Sequence, residues 1–374
     1  ESELAIMRAV ADGTIEDAFD IEHLLKVDAA RPWEILAITF TNKAAGELKD
    51  RLEKMLGPDG SEIWASTFHA ACARILRRYG ERLGFSNHFT IYDTDDSRRA
   101  MKECQRALGI EDRVINHKAA LAEISRAKDS LITPEEFKQQ AGSDFRLKKI
   151  ADLYEMYQAN LKKADAMDFD DIIVNTVYLF QQDKEVLEYY QNRFKYIMVD
   201  EYQDTNHAQY QLVSLLAAKN RNLCVVGDDD QSIYKFRGAT IENILSFEQQ
   251  FRGSRTIRLE QNYRSTQSIL NAANAVIAHN SQRKGKNLWT DNGEGGKIIL
   301  NTSYDEQSEA RYIADTVLDG VAGGQRFSDF AVLYRTNAQS RIIEEKCIAY
   351  NVPYRLVGGV NFYQRKEIKD ILAY

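Results

Sequence analysis

The chain has few cysteines, prolines and tryptophans, and no long apolar run. Its 374 residues include four cysteines, four prolines and three tryptophans. The cysteines are not closely paired and no histidine lies beside them at zinc-ligand spacing, which argues against a disulfide framework and a zinc site. No run approaches the roughly 18 apolar residues that a membrane helix needs, and no charged-then-apolar segment opens the chain. We therefore expect a cytoplasmic protein with reduced thiols and no membrane partner.

The chain also lacks an excess of positive charge. It has 49 lysines and arginines against 56 aspartates and glutamates, a formal net charge of −7. This balance argues against a diffuse electrostatic grip on nucleic acid, so any site for a polyanion must be a local groove. A length of 374 residues exceeds what one hydrophobic core normally supports, so two or three domains are expected.

Apolar segments alternate with amphipathic ones, which predicts an α/β fold with a parallel sheet. A strand over Ile35–Phe40 precedes a helix that Asn42 can cap and that runs through Leu56. A strand over 63–68 and an amphipathic helix follow, and 93–190 lacks strand signals and predicts a helical insertion. The sheet pattern resumes with strands over 196–200, 223–226 and 255–259 and a helix over 208–218.

A polar, glycine-containing segment over 280–296 predicts a loop or linker before a second α/β unit. We expect strands over 297–302, 330–334 and 354–357, and helices over 307–318, 338–350 and 365–374.

Two adjacent carboxylates, Asp200 and Glu201, directly follow the apolar run that starts at Tyr196. Such a run predicts a fully buried parallel strand, and open α/β sheets bind ligands at the carboxyl ends of their strands. One carboxylate there can hold Mg²⁺ while its neighbour orients or deprotonates a water, which is the chemistry of nucleoside triphosphate hydrolysis. The alternative is two solvated acids that end a strand.

A second candidate phosphate site follows the strand that ends at Val226. Gln231 offers an amide to a phosphate oxygen or an attacking water, and Asp228 could contribute to a metal shell. The alternative is an acidic turn. Next along the chain, Tyr234 and Phe236 alternate with basic residues, a pattern suited to stacking unpaired bases, although aromatic rings are more often buried in a core.

A tyrosine and an arginine, Tyr263 and Arg264, lie at the junction of the two α/β units. The ring can stack on a base, and the guanidinium can neutralise charge on a transferring phosphoryl group. The alternative for such an isolated pair is an ordinary surface position.

Seven segments occur in an order that resembles the motifs of UvrD/PcrA/Rep-type superfamily 1 DNA helicases. These segments are Leu36-Ala-Ile-Thr-Phe-Thr-Asn-Lys-Ala-Ala45, Ser66-Thr-Phe-His69, Val199-Asp-Glu-Tyr-Gln-Asp204, Gly227-Asp-Asp-Asp-Gln-Ser-Ile-Tyr234, Gln261-Asn-Tyr-Arg-Ser-Thr266, Tyr334-Arg-Thr-Asn-Ala-Gln-Ser-Arg341 and the tail over 362–370. The similarity runs from about Pro32 to Tyr374. It implies RecA-like, P-loop NTPase motor domains with a helical insertion subdomain.

The resemblance implies a role for each matching residue. Asp200 would coordinate Mg²⁺ through water, Glu201 would be the general base, Gln231 would sense the γ-phosphate of ATP, Arg264 would contact it, and Tyr263 would stack on adenine. The implied track for single-stranded DNA comprises Phe40, Thr41, Asn42, His69, Tyr234, Phe236, Arg237, Arg335 and Asn337. Where Phe236 stands the family often has tryptophan, so we expect a weaker grip at that position.

The chain departs from the family at the phosphate loop. The pattern Gly-x-x-x-x-Gly-Lys-Thr is expected about 25 residues before the first strand, but Met7-Arg-Ala-Val-Ala-Asp-Gly-Thr14 stands there. Gly13 and Thr14 are the residues that would contact the nucleotide, and no lysine is present. Either residues 8–19 have diverged or a local error in the reading frame has altered them.

The resemblance therefore implies a partial ATP-dependent 3′–5′ DNA helicase that uses ATP and Mg²⁺. Residues 1–92 and 191–279 would form the first motor domain, 93–190 the insertion, and 280–374 the start of the second motor domain, with the later motifs absent. Expected partners are single-stranded DNA, its junctions with duplex, and repair or replication proteins, and the expected state is a monomer or weak dimer. One alternative is a catalytically impaired single-stranded DNA-binding module; a weaker one is a helicase-nuclease subunit.

Overall fold

The computed structural model describes residues 29–235, 238–281 and 283–357. The chain divides into two compact units: the first takes the chain up to Glu260 together with Asn274–Asn287, and the second takes Gln261–Ala273 and the chain from Leu288 onward. In the described ranges, no helix is both long and apolar enough to cross a membrane.

A parallel four-stranded sheet with the order β2-β1-β5-β6 forms the centre of the first unit. Its strands are β1 (Ile35–Thr39), β2 (Trp64–Thr67), β5 (Tyr196–Val199) and β6 (Leu223–Val225). Register places Ala37 opposite both Ala65 and Met198, so β1 is central. The four strands predicted here are confirmed, and each end lies at the predicted residue or one residue inside it.

Eleven helices are described in the first unit. They are α1 (Asn42–Leu56), α2 (Phe68–Tyr79), α3 (Thr94–Ala107), α4 (His117–Asp129), α5 (Pro134–Gln140), α6 (Phe145–Lys163), α7 (Phe169–Gln182), α8 (Lys184–Arg193), α9 (His207–Ala217), α10 (Glu242–Leu245) and α11 (Phe247–Gln250). The predicted cap of α1 is wrong by one residue. Thr41 is the N-cap, since its Oγ1 accepts a hydrogen bond from Ala44 N at 3.1 Å, and Asn42 is the first helical residue.

Two predictions about strands of the first unit need correction. β5 is not fully buried, because Ile197 and Val199 face the core whereas Tyr196 and Met198 are exposed among the described residues. No strand forms over 255–259, where the chain is irregular and Ile257 and Leu259 are exposed. A strand needs a hydrogen-bonded neighbour, which an apolar pattern cannot guarantee.

The segment over 93–190 is mostly helical, as predicted, and contains a hydrophobic cluster of its own. α3, α4 and α6 enclose a cluster of buried side chains that is separate from the core under the sheet. One short strand, β4 (Ala166–Met167), interrupts the helices and pairs in parallel with β3 (Thr90–Ile91). Lys128 is 1% exposed and forms ion pairs of 2.7 Å with Asp168 and 2.8 Å with Asp171, so α4 is joined to the start of α7.

Three helices are described in the later part of the chain: the two predicted over 307–318 and 338–350 are confirmed, and the one over 267–277 was not predicted. The predicted strands are wrong. The helices are α12 (Gln267–Ile277), α13 (Glu306–Ala322) and α14 (Ser340–Ala349), and α13 packs on α14 around Val317 and Cys347. The segments over 297–302, 330–334 and 354–357 are irregular, and Leu300 and Leu333 are more than 90% exposed. No described segment pairs with them, and an unpaired strand is not stable. The predicted helix over 365–374 lies outside the described residues.

Candidate functional site

The two carboxylates predicted at a strand end lie directly after β5. Asp200 N donates to Ile38 O at 2.9 Å, which continues the pairing with β1, and Asp200 Oδ1 accepts from Glu201 N at 3.0 Å. Glu201 adopts a left-handed backbone conformation with φ 51° and ψ 39°. That conformation is uncommon for a residue other than glycine, and such residues cluster at functional sites. The turn leaves both carboxylates exposed.

A buried glutamine links Glu201 to the second candidate phosphate site. Gln203 is 1% exposed, and its Nε2 donates to Glu201 Oε2 at 2.8 Å while its Oε1 accepts from Asp228 N at 2.9 Å. Asp228 Oδ2 in turn accepts from Gln231 Nε2 at 2.7 Å. The structure thus brings Glu201 and Gln231 together through a hydrogen-bond relay, Glu201-Gln203-Asp228-Gln231.

No role was predicted for Gln203, although the residue lies within a motif that matches the family. Its contacts explain why glycine stands at position 227. A Cβ on Gly227 would lie 2.6 Å from Gln203 Oε1 and 2.8 Å from Ile244 Cδ1, so a larger residue would displace the side chain that joins the two loops.

Three basic residues from the predicted linker bind the acidic loop that carries Asp228. Arg283 forms a bidentate pair with Asp230, with Nε to Oδ1 at 2.8 Å and Nη2 to Oδ2 at 2.7 Å. Lys284 N donates to Asp229 Oδ2 at 2.7 Å. The ammonium of Lys286 donates to Asp228. The segment was predicted only as a loop or linker, and its cluster of three basic residues within four positions was the available signal for this role.

These contacts set the charge state of the loop. Burial alone would raise the pKa of Asp228, but hydrogen bonds from Lys286 and Gln231 outweigh it, so the pKa lies below the ordinary value of a carboxyl group. Asp228 is therefore a carboxylate at neutral pH. Asp204 differs, because burial and the nearby charge of Glu201 raise its pKa to about 6.

The carboxylates fit a Mg²⁺ ion that is shared with a substrate. No group of three or more potential metal ligands occurs in the described ranges, so they contain no preformed protein cage. Mg²⁺ usually keeps several waters and binds one or two carboxylates together with substrate phosphates. Asp200 suits that role, because its side chain is exposed and its Oδ1 accepts one backbone hydrogen bond.

Four of the predicted DNA-track residues line one cavity of about 530 Å³, which we call the aromatic cavity: Phe40, Thr41, His69 and Tyr234. Helices α2, α4, α7 and α9 contribute to its wall, together with the segment that precedes α1. Asn42 is exposed and is not among the lining residues. The structure therefore brings together residues that are separated by almost 200 positions in the sequence.

The rings of the aromatic cavity are held by other aromatic side chains. Phe40 contacts Phe68 edge-on, with 5.6 Å between ring centroids, and His69 contacts Phe169 edge-on at 5.7 Å. Burial lowers the pKa of His69, against a hydrogen bond with the Phe169 backbone that raises it. At neutral pH His69 is therefore mainly a neutral ring that can stack or accept a hydrogen bond.

Three carboxylates also line the aromatic cavity, and none of them was predicted as a site residue. Asp129, Asp170 and Asp204 reach it from α4, α7 and the turn before α9. Asp129 accepts from Asn206 Nδ2 at 2.5 Å. Burial, then the charge of Asp170, raises the pKa of Asp129 to about 7, so these groups bear less negative charge than free aspartates would.

Four predicted site residues belong to the second unit. Tyr263 is 80% exposed and its hydroxyl donates to Gln261 Oε1 at 2.8 Å. Arg264 is exposed and held through its backbone N, which donates to Asn262 Oδ1 at 2.9 Å. Arg335 and Asn337 are exposed at the turn that leads into α14.

Other predicted site residues lie outside the described residues. They are Gly13, Thr14, Phe236 and Arg237, together with the motif over 362–370.

Comparisons with known proteins agree with the motif order. The profile of the UvrD/REP helicase N-terminal domain matches residues 18–252, and that of the UvrD-like helicase C-terminal domain matches residues 257–374. The chain is 49% identical over 375 aligned positions to an ATP-dependent DNA helicase PcrA of Staphylococcus epidermidis and 48% identical to one of Staphylococcus aureus. Each alignment covers 100% of this chain and 51% of the relative, so the chain spans about half the length of these relatives.

Proposed function

We propose, from the premise that the chain belongs to the UvrD-like family of DNA helicases, that it carries nucleotide-hydrolysing and single-stranded DNA-binding parts of an ATP-dependent 3′–5′ DNA helicase. The observation that carries the proposal is the relay Glu201-Gln203-Asp228-Gln231, which connects the ends of β5 and β6. These strand ends are where parallel sheets bind ligands.

The residues of the relay have distinct proposed roles in hydrolysis. Glu201 takes the proton of the attacking water, and Gln203 holds its carboxylate in place from the side. Gln231 presents its amide to the γ-phosphate or to the water, and Asp228 fixes the orientation of that amide. Asp200 would hold Mg²⁺, which when bound neutralises charge on the phosphates. Tyr263 and Arg264 are proposed contacts of adenine and the γ-phosphate.

The aromatic cavity is the proposed path of single-stranded DNA. Rings that stack on bases bind without sequence preference, and every base offers a face for stacking. Phe40, His69 and Tyr234 supply rings at the cavity wall, and Thr41 a hydroxyl. We extend the path to Asn42, Phe236, Arg237, Arg335 and Asn337 on motif similarity.

The remaining parts of the proposal rest on the family. We propose residues 1–92 and 191–279 as the first motor domain, 93–190 as its insertion, and 280–374 as part of the second motor domain. Junctions of single-stranded DNA with duplex are the proposed substrates and repair or replication proteins the proposed partners. We further propose a cytoplasmic monomer or weak dimer.

A second candidate function is a single-stranded DNA-binding module that does not turn over ATP. The observation that favours it is the segment Met7–Thr14, which has no lysine where the family's phosphate loop has one. That lysine normally holds the β and γ phosphates. Either residues 8–19 have diverged, or a local reading-frame error has altered them, and resequencing this stretch of the gene distinguishes the two.

Measuring ATP hydrolysis with and without single-stranded DNA tests the proposal. We expect DNA to stimulate turnover and Glu201→Gln to reduce it by about 10²- to 10⁴-fold, the usual contribution of a general base, while DNA binding persists. Glu53→Gln, an exposed change on α1 that removes the same charge, is the control and should leave turnover unchanged. Salt-sensitive DNA binding without turnover would favour the second candidate. Absence of DNA binding would contradict both.

A further inference from the structure

A second cavity, of about 450 Å³, lies beside β2 and is lined by side chains that no proposed role has used. Its wall combines basic residues with two indole rings. We call it the basic cavity, and the members used below are Trp33, Lys49, Trp64, Ser66, Arg74 and Arg193.

Two arginines of the basic cavity share one aromatic ring. The Cζ of Arg74 lies 4.1 Å from the centroid of Trp64, and the Cζ of Arg193 lies 5.1 Å from it. Neither guanidinium forms an ion pair with any carboxylate in the part of the chain that the structure describes. Two like charges thus lie near one ring, and an anion that contacts both guanidinium groups would reduce their repulsion.

Two hydrogen-bond donors of the wall have no protein acceptor in the described ranges, although Nη1 of Arg193 donates to the Tyr189 hydroxyl at 3.5 Å. Ser66 Oγ and Arg193 Nε are buried atoms that bond to no group within the described ranges. A buried donor without a partner costs about 1 to 3 kcal/mol, so native structures normally supply one. Glu62 lines the cavity as well, but it is exposed. It is one carboxylate in a wall that contains three cationic side chains, Lys49, Arg74 and Arg193. The unpaired donors and the excess of positive charge both favour binding of an oxyanion in this cavity.

The basic cavity and the proposed DNA path both take residues from the junction of β2 and α2. β2 leads directly into α2, and their junction carries Ser66 towards the basic cavity and His69 towards the aromatic cavity. Arg74 lies five residues after His69 on α2, which corresponds to a rise of about 7.5 Å along the helix. A strand that occupies the aromatic cavity can therefore pass the β2-α2 junction and place a backbone phosphate over the two arginines.

We propose that Ser66, Arg74 and Arg193 form a second phosphate-binding site, separate from the Asp200-Glu201 site, which takes a backbone phosphate of single-stranded DNA beyond the aromatic cavity. The choice of DNA as the source of the phosphate rests on the proposed function. The inference that the cavity binds an oxyanion rests only on the donors and charges of its wall.

The test uses the whole chain with Trp289 replaced by phenylalanine, so that Trp33 and Trp64 supply the tryptophan fluorescence. Trp33 and Trp64 line the basic cavity, whereas Trp289 belongs to the second unit. The probes are inorganic phosphate and a series of oligothymidylates of increasing length, titrated at several salt concentrations. The variants are Arg74→Ala, Arg74→Lys and the control Arg51→Ala, an exposed change on α1 outside the cavity.

We expect long oligothymidylates to change the fluorescence and short ones not to. Arg74→Ala should abolish this change and lower the slope of log affinity against log salt concentration by about 0.7, the value for one phosphate contact on a single strand. Arg74→Lys should keep most of the slope, and Arg51→Ala should match the parent. Melting temperatures of all variants verify that they are folded.

Each contrary result has a separate meaning. Equal slopes for Arg74→Ala and Arg51→Ala, with DNA still bound, would overturn the site and leave the proposed function standing. Inorganic phosphate could change the fluorescence of the parent but not of Arg74→Ala, while both bind DNA with the same slope of log affinity against log salt concentration. That result would overturn the assignment of the site to DNA. Failure of the parent to bind DNA would contradict the proposed function, and the phosphate titration would still test the oxyanion site.

Discussion

Replacing Gln203 by leucine breaks the relay at its buried centre. The native side chain is 1% exposed and makes two hydrogen bonds, one from its Nε2 to Glu201 and one from Asp228 N to its Oε1. Leucine is apolar and of similar size, so it should remain in the same space. The change therefore removes the two bonds with little change in volume.

The two lost bonds contribute differently to stability. Glu201 is exposed, so water can replace the amide and the loss there should be small. Asp228 N is partly buried, and leaving it without an acceptor costs about 1 to 3 kcal/mol. We expect Gln203→Leu to lower the free energy of unfolding by roughly 1 to 2 kcal/mol, toward the lower end of that range. The larger effect should fall on catalysis, because a base misplaced by about 1 Å loses on the order of 10²-fold in rate.

Gln191→Leu is the matched control. Gln191 is also buried, and its Nε2 donates to Leu215 O at 2.7 Å, a hydrogen bond that does not involve the relay. Urea denaturation should show a similar loss of stability for both variants. DNA-stimulated ATP turnover should fall about 10- to 100-fold for Gln203→Leu and stay near the wild-type rate for Gln191→Leu.

Equal turnover in the two glutamine variants would refute the role of Gln203 in holding Glu201. Unchanged stability of Gln203→Leu would show that the two bonds do not form in solution.

Two further predictions concern buried charges. Lys128→Met should lower the free energy of unfolding, measured by urea denaturation, by about 3 to 5 kcal/mol, because it leaves Asp168 and Asp171 buried without their cation. The control Lys138→Met removes an exposed ion pair with Asp152 and should cost under about 1 kcal/mol. Asp129 has a folded pKa of about 7 against an ordinary 3.8, so its contribution to stability is complete below pH 3.8 and is lost as pH rises through 7. Asp129→Asn should therefore gain stability relative to wild type across that window, by up to about 1.4 kcal/mol per pH unit, and a constant difference would contradict the shift.

Much of the first unit could be predicted from the sequence because its segments carry their own signals. The helix Asn42–Leu56 has a threonine cap and an apolar stripe, and the strands β1 and β5 are short apolar runs. Such features depend on neighbours in the sequence. The strands predicted over 297–302 and 330–334 failed because a strand also depends on a partner segment, which apolar alternation does not specify.

The site was predictable only in part, for the same reason. Asp200, Glu201 and Gln231 stand in motifs with recognisable types of side chain. Gln203 and Lys286 gain their roles from contacts with Asp228 that span 25 and 58 positions of the chain. A pattern of neighbouring residues does not predict contacts between residues so distant in the sequence.

The measurement that tests the central claim most directly is ATP turnover by the wild-type chain and by Glu201→Gln, each with and without single-stranded DNA, with DNA binding measured in the same buffer. The account predicts turnover that DNA stimulates in the wild type, and its loss in Glu201→Gln with DNA affinity unchanged. Turnover that survives this substitution would contradict the assignment of Glu201 as the base.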